Sequence, residues 1–140
     1  MYGRIDLSRT DYTQMANAQI DREPQVDQLQ RIYHSYCRHK QFRSVMPIFD
    51  SEYTDSSNDV IVYTNQLSVI AFSLLRRYDA HNVEAIQFAW DYAEPSLRLG
   101  IRSLEHECAY YKSLGYSYLY LGDAAEYKTH IAGFELLGPA

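Results

Sequence analysis

The sequence predicts an α+β fold: a mixed sheet built on an antiparallel meander, with a strand–helix–strand crossover and helices on both faces. Three observations predict it. Three strand-like stretches run from Asp59 to Asp91 with short turns between them. Apolar residues with helical spacing lie on either side of the meander, at 26–37 and 101–111. A short strand follows the second helix. The strand before that helix and the strand after it are therefore read as parallel neighbours joined by a right-handed crossover.

Residues 1–19 show no clear period, and Ile5 and Leu7 are read as the start of an edge strand. Pro24 stands where a helix begins, after Asp21 and Glu23. Val26, Leu29, Tyr33, Tyr36 and Cys37 follow an i, i+3, i+7 rhythm, and the helix should end near Lys40, where basic residues suit the C-terminal dipole. Ser44 to Asp59, with Pro47 and the run SEYTDSSND, reads as a polar loop. The meander comes next. DVIVYT, LSVIAFSLLRR and VEAIQFAWD are rich in β-formers and are separated by turns at Asn65-Gln66 and at Asp79 to Asn82. Ile86, Phe88 and Trp90 should alternate onto one face. Pro95 breaks the pattern. Ile101, Leu104, Cys108 and Tyr111 share one helical face, and Gly115 stops that helix as a C′ glycine. Tyr118 to Leu121 is a short strand, Gly122 to His130 a loop or short helix, and Gly133 to Leu137 a last strand.

Composition bounds the function classes. The chain has 140 residues, the size of a single domain, with 46% hydrophobic and 22% charged residues. No apolar run approaches the ~18 residues of a membrane span, and the first residues lack a signal-peptide core. The expectation is a soluble, cytoplasmic protein with no membrane partner. The net charge of −5 argues against a broad nucleic-acid-binding face. Cys37 and Cys108 are too far apart in sequence for a metal knuckle, and His34, His39, His81, His106 and His130 show no ligand spacing. No metal is expected. Fourteen tyrosines are unusual. Their plain reading is core and sheet surface, and the sharper one is an aromatic-lined cleft.

The segment PSLRLGIRSL could carry chemistry. A glycine at a helix start permits close backbone approach. Free amides near Gly100 to Ser103, helped by the helix dipole, would favour an anion, and Arg98 and Arg102 add cations. Together these suit a pyrophosphate, although an ordinary strand-to-helix turn would look the same. Arg76 and Arg77 read as a ligand salt contact or as a solvated strand end. Arg22, Arg31, Arg38, His39, Lys40 and Arg43 read as an RNA or phosphate contact or as a solvated helix flank. Glu84, Asp91, Tyr92, Glu94 and Tyr127 are the acid–base candidates. A carboxylate with a raised pKa takes the proton of an amine, and a tyrosine hydroxyl protonates a thiolate.

Three blocks then carry a resemblance. PSLRLGIRSLEHECAYYKSLGYSYLYLG resembles the acyl-CoA-binding core of the GNAT superfamily of N-acyltransferases: phosphate turn, helix, glycine, strand. More narrowly, RLGIRSL, LGYSYLYLG and the pair Tyr127-Lys128 with Glu135-Leu136-Leu137 resemble the C-terminal domain of arginyl- and leucyl-tRNA–protein transferases. The resemblance covers roughly Val83 to Leu137. It departs from the superfamily's turn in having Leu97 at the first position and Arg102 at the last. It also lacks the N-terminal cysteine cluster of the tRNA-dependent transferases.

The resemblance implies a GNAT-like domain that takes acetyl-CoA or another acyl-CoA as cosubstrate and a small-molecule or peptide amine as acceptor. Arg98, Leu99, Gly100, Ile101, Arg102 and Ser103 would cradle the pyrophosphate. The strand end from Phe88 through Trp90 to Tyr92 would pair with the pantetheine arm. Tyr127 would protonate the leaving thiol, and Glu84 or Asp91 would act as base. Two alternatives stand beside this reading, an aminoacyl-tRNA-dependent transferase and a non-catalytic GNAT-fold module. The last would have its crevice plugged by Trp90, Tyr92 or Tyr120. A homodimer would cover the edge left by the C-terminal strand.

Overall fold

The computed structural model describes residues 2–41, 48–92, 97–123 and 126–138. Pro47, Glu94 and Pro95, each weighted in the sequence, lie outside these residues. The elements in chain order are β1 (Tyr2–Asp6), β2 (Ala18–Ile20), α1 (Val26–Lys40), α2 (Asp50–Thr54), β3 (Asn58–Asn65), β4 (Ser68–Arg77), β5 (Asn82–Trp90), α3 (Leu99–Ser113), β6 (Tyr118–Asp123) and β7 (Phe134–Gly138). Single 3₁₀ turns occupy Leu7–Arg9 and Glu126–His130. The seven strands make one sheet in the order β2-β3-β4-β5-β6-β1-β7. Its one parallel pair among the described residues is β5 with β6, on the two sides of α3. The expected α+β class, meander and crossover are all present.

Alternation along β3 and β4 divides the interior between two faces. Ile61, Tyr63, Ala71 and Leu75 pack with Leu99, Leu104, Cys108 and Tyr111 of α3. Val60, Val62, Phe72 and Leu74 pack with Leu29, Ile32, Tyr33 and Cys37 of α1 and with Tyr53 of α2. Burial of each Leu, Ile or Phe on these faces is worth ~1.5–3 kcal/mol. This is why helices sit on both faces, as the period-2 pattern requires. Buried Asp59, at the start of β3, ties the end of α3 to the sheet. It accepts from Tyr111 Oη at 2.7 Å and Arg22 Nη1 at 3.0 Å, and pairs with Arg77 Nε at 3.2 Å. Arg77 is thus a structural ion-pair partner, and Arg76 lies 4.0 Å from Asp55.

Three sequence expectations are corrected. The N-terminal strand is not an edge. β1 lies inside the sheet, where Ile5 faces Leu119 of β6 and Phe134 of β7 and has no exposed surface. The edges are β7, as expected of the C-terminal strand, and β2, three residues long and too short to show a period. The polar loop contains α2, anchored by the single buried side chain of Tyr53. Ile86 does not share a buried face with Phe88 and Trp90. Leu74 pairs with Gln87 while Leu75 pairs with Ala85, so Ile86 is the extra residue of a β-bulge and is left 40% exposed.

Candidate active site

The site begins where the sheet stops pairing. β5 and β6 are in register from Asn82 with Tyr118 to Glu84 with Tyr120, and no further. Beyond that point the strands part, leaving a cleft of about 360 Å³. Residues 84–88 of β5, including the bulged Ile86, form one wall, and Leu121 and Gly122 of β6 the other. Gly100, Ser103, Leu104 and Glu107 of α3 line it from one face of the sheet. Tyr36 of α1 and Tyr127-Lys128 complete it. A second hollow of about 290 Å³ shares Tyr36, Phe88, Gly100 and Tyr127, and extends past Trp90 and Tyr92 to Lys40 and Arg98.

The start of α3 faces both spaces through Gly100. Arg98 is the N-cap residue, in a left-handed conformation with φ 51°, and its side chain does not cap the helix. The Arg102 amide donates to the Arg98 carbonyl at 3.2 Å and closes the first turn. Leu99, Gly100 and Ile101 are therefore the amides that no carbonyl within the helix can serve, at the positive end of the helix dipole. This shifts the expected donor set, because the amides of Arg102 and Ser103 already belong to the helix. Arg102 also turns elsewhere. Its guanidinium reaches the Leu97 carbonyl at 3.4 Å, and its side chain lines a separate hollow with Tyr12 and Glu105. The Ser103 hydroxyl donates to the Gly100 carbonyl at 3.1 Å, and Leu99 is buried in the core, so it presents only main chain.

The remaining sequence candidates divide. Glu84 lines the cleft, and its Oε1 accepts a 2.5 Å hydrogen bond from Tyr78 Oη. Asp91 lies past the end of β5, its amide bonded to the Ile70 carbonyl at 3.1 Å, and it does not line the cleft. Tyr127 reaches over α3, its hydroxyl 4.0 Å from where a Cβ on Gly100 would sit. Burial, Glu107 and Tyr92 raise its pKa. Trp90 and Tyr92 line the second hollow without filling the cleft, and Tyr120 packs instead against Arg4. Tyr92 has φ 58° and stacks under His39 at 3.8 Å, with Lys40 Nζ 5.5 Å from its ring centre. The excess of tyrosine is thus spent on both the core and an aromatic-lined cleft.

Glu107 was not picked out in the sequence. It is buried on the cleft side of α3, where its Oε2 accepts from Ser73 Oγ at 3.2 Å, and Ser73 Oγ lies 2.9 Å from Tyr63 Oη. Burial pushes its carboxyl up to about 7, against smaller opposing effects of Lys128 and Ser73. One signal was available. Position 107 falls on the apolar stripe of α3, three residues after Leu104 and four before Tyr111, where a glutamate is out of place. Tyr36 and Lys40 were read as helix face and flank, because nothing local says that α1 crosses the mouth of the cleft. His106 is structural: its Nδ1 accepts from the Met15 amide at 2.9 Å, and burial lowers its pKa to about 4. Among the described residues no group of three or more His, Cys, Asp or Glu is placed to hold a metal ion. No helix among them is long and apolar enough to cross a membrane.

The sequence matches no protein-family model and no curated protein. Solved structures do resemble it. A GNAT-family protein from Novosphingobium aromaticivorans, assigned as an acetyltransferase, superposes with a TM-score of 0.65 at 15% identity, over 96% of this chain and 58% of its own. Saccharomyces cerevisiae N-myristoyltransferase with bound myristoyl-CoA gives 0.66 at 10% identity, over 95% of this chain and 45% of its own. The C-terminal DUF2156 domain of an Agrobacterium fabrum protein, assigned as a lysylphosphatidylglycerol synthetase, gives 0.65 at 16% identity, over 88% and 46%. This chain therefore spans roughly half the length of these structures. The fold is GNAT-like.

Proposed function

We propose that the chain is a GNAT-fold N-acyltransferase that moves an acetyl or other acyl group from a coenzyme A thioester to a primary amine on a small molecule or peptide. One observation carries this reading. The cleft between the two parting strands runs directly against the first-turn amides of α3. An anion held there would leave a thioester tail free to enter between β5 and β6.

In this reading the amides of Leu99, Gly100 and Ile101 hold the pyrophosphate, and Arg98 adds positive charge. The pantetheine arm lies along β5 towards Trp90 and Tyr92. A main-chain amide of β5 polarises the thioester carbonyl, since past Glu84 the edge of β5 that faces β6 has no strand partner among the described residues. The amine's lone pair attacks the carbonyl carbon, the C–S bond breaks, and Tyr127 gives its proton to the departing thiolate. Glu84 is the nearer of the two expected bases, since it lines the cleft and Asp91 does not.

Isothermal titration with acetyl-CoA tests the reading. The expected result is one site per chain, weakened by substitution of Arg98. No binding at millimolar acetyl-CoA overturns it. The sequence resemblance to tRNA–protein transferases, together with the fold match to the lysylphosphatidylglycerol synthetase domain, favours a second reading in which the acyl group is an amino acid carried by tRNA. That reading expects tRNA binding whose logarithm falls linearly with the logarithm of salt concentration. The net charge of −5 weighs against it.

A further inference from the structure

We propose that Glu107 is the group that takes the proton from the incoming amine, directly or through one water, with Ser73 and Tyr63 behind it as positioning residues. The proposal deepens the acyltransferase reading and rests on it. It follows first from placement. Glu107 projects from the third turn of α3 into the cleft that also contains Gly100 and Tyr127. A base for the amine and an acid for the thiolate thus belong to one space, on elements that different strands hold apart.

It follows next from how the carboxyl is kept. A glutamate buried in a two-layer interior is expected to have a cation against it. Among the described residues none lies within ion-pair distance of Glu107, and its hydrogen bond is from a neutral hydroxyl. Lys128 from the covering turn and Ser73 of β4 act on it, and its charge in turn acts on Tyr127 beside it, on Tyr63 of β3, and on Cys108 and Tyr111 of its own helix. Only Lys128 is cationic, and it does not outweigh the burial that pushes the carboxyl up to about 7. A well-packed apolar residue would be more stable here. A buried, unpaired carboxyl on the wall of a cleft has the properties of a functional group. Glu84 likewise accepts a hydroxyl, from Tyr78, but it is only half-buried and stays in contact with solvent.

The proton balance closes. Ionised Glu107 accepts one proton from the ammonium form of the acceptor and becomes neutral. The free amine forms the C–N bond as the C–S bond breaks. The thiolate takes the Tyr127 proton, and the second proton on nitrogen restores Tyr127. Glu107 returns its proton to solvent, the single proton released per turnover.

The test pairs wild type with Glu107→Gln and Ser73→Ala. Release of free thiol from acetyl-CoA is followed against pH, first with water as acceptor and then with a series of primary amines, alongside titration of coenzyme A. The expected result is unchanged coenzyme A binding in Glu107→Gln with thiol release down at least ~100-fold, the usual lower bound for a lost general base. The wild-type rate should rise with a midpoint near 7, and Ser73→Ala, which removes the hydroxyl that favours the ionised form, should move that midpoint up. In ¹³C-glutamate spectra the carboxyl resonance absent from Glu107→Gln should titrate near 7 as well. Undiminished thiol release in Glu107→Gln, no thiol release from bound acetyl-CoA, or a resonance titrating in the ordinary carboxylate range each overturns the assignment while leaving acyl-CoA binding intact. Failure of wild type to bind coenzyme A overturns the acyltransferase reading itself.

Discussion

Glu107 and His106 are adjacent in sequence, both buried, and opposite in their effect on stability. Burial raises the Glu107 carboxyl from 4.5 to about 7, so its contribution is complete below 4.5 and is lost as pH rises to 7. Burial lowers His106 from 6.5 to about 4, so its contribution is complete above 6.5 and is lost as pH falls to 4. Each is worth at most ~3 kcal/mol, at 1.36 kcal/mol per pH unit of displacement. Between 4.5 and 6.5 the two slopes cancel. Glu107→Gln should remove one of them: in urea melts its stability should climb from pH 4.5 to 6.5 and exceed wild type at pH 8, while matching it near pH 4.5. Equal melts at pH 8 would mean that the carboxyl carries no burial penalty. A gain in stability at the cost of activity is the expected signature of a residue retained for chemistry.

Elements meet most closely where the chain's two ends join the sheet. Gly133, in the turn before β7, has φ 80°, and a Cβ there would stand 2.5 Å from the carbonyl oxygen of Asp6, the last residue of β1. Gly138, at the end of β7, has nothing within 4 Å. Gly133→Ala should therefore cost ~2 kcal/mol or more, combining left-handed strain with a backbone clash, while Gly138→Ala should fall within ~0.5 kcal/mol of wild type. Chemical denaturation of the two variants measures the contrast, and equal costs would mean that β1 and β7 do not approach as described. The bulge at Ile86 acts on the same scale. One extra residue in β5 turns that strand's pattern over halfway along, with Val83 buried at one end and Ala89 and Trp90 at the other.

The whole molecule is a sheet divided at one seam. Everything on the β2 side of the seam is the meander and its helices, and everything on the far side is β6, β1 and β7. Among the described residues the halves share three paired positions, α3, and a core in which Ile5, Leu119 and Leu121 pack with Ile61 and Leu75, and a ligand seated in the seam would touch both. Coenzyme A at 100 times its dissociation constant should stabilise the fold by ~2.7 kcal/mol, read as a rise in melting temperature that grows with the logarithm of ligand concentration. A melting temperature independent of coenzyme A would remove the seam as its binding site.

The fold class, the meander, both long helices and the parallel crossover could be read from the sequence alone, because each rests on local periodicity and turn chemistry. So could the glycine-marked start of α3 and the candidacy of Tyr127. What the tertiary structure decided was everything that depends on distant partners. Ile5 becomes interior only when β6 and β7 flank it. Arg77 is claimed by Asp59, and Arg102 is carried round to another surface by the helical turn. Glu107, a mid-helix glutamate in sequence, becomes a buried carboxyl on a cleft wall once α3 lies across the sheet. A residue's solvation is set by its neighbours in space, and local pattern carries no record of which neighbours those will be.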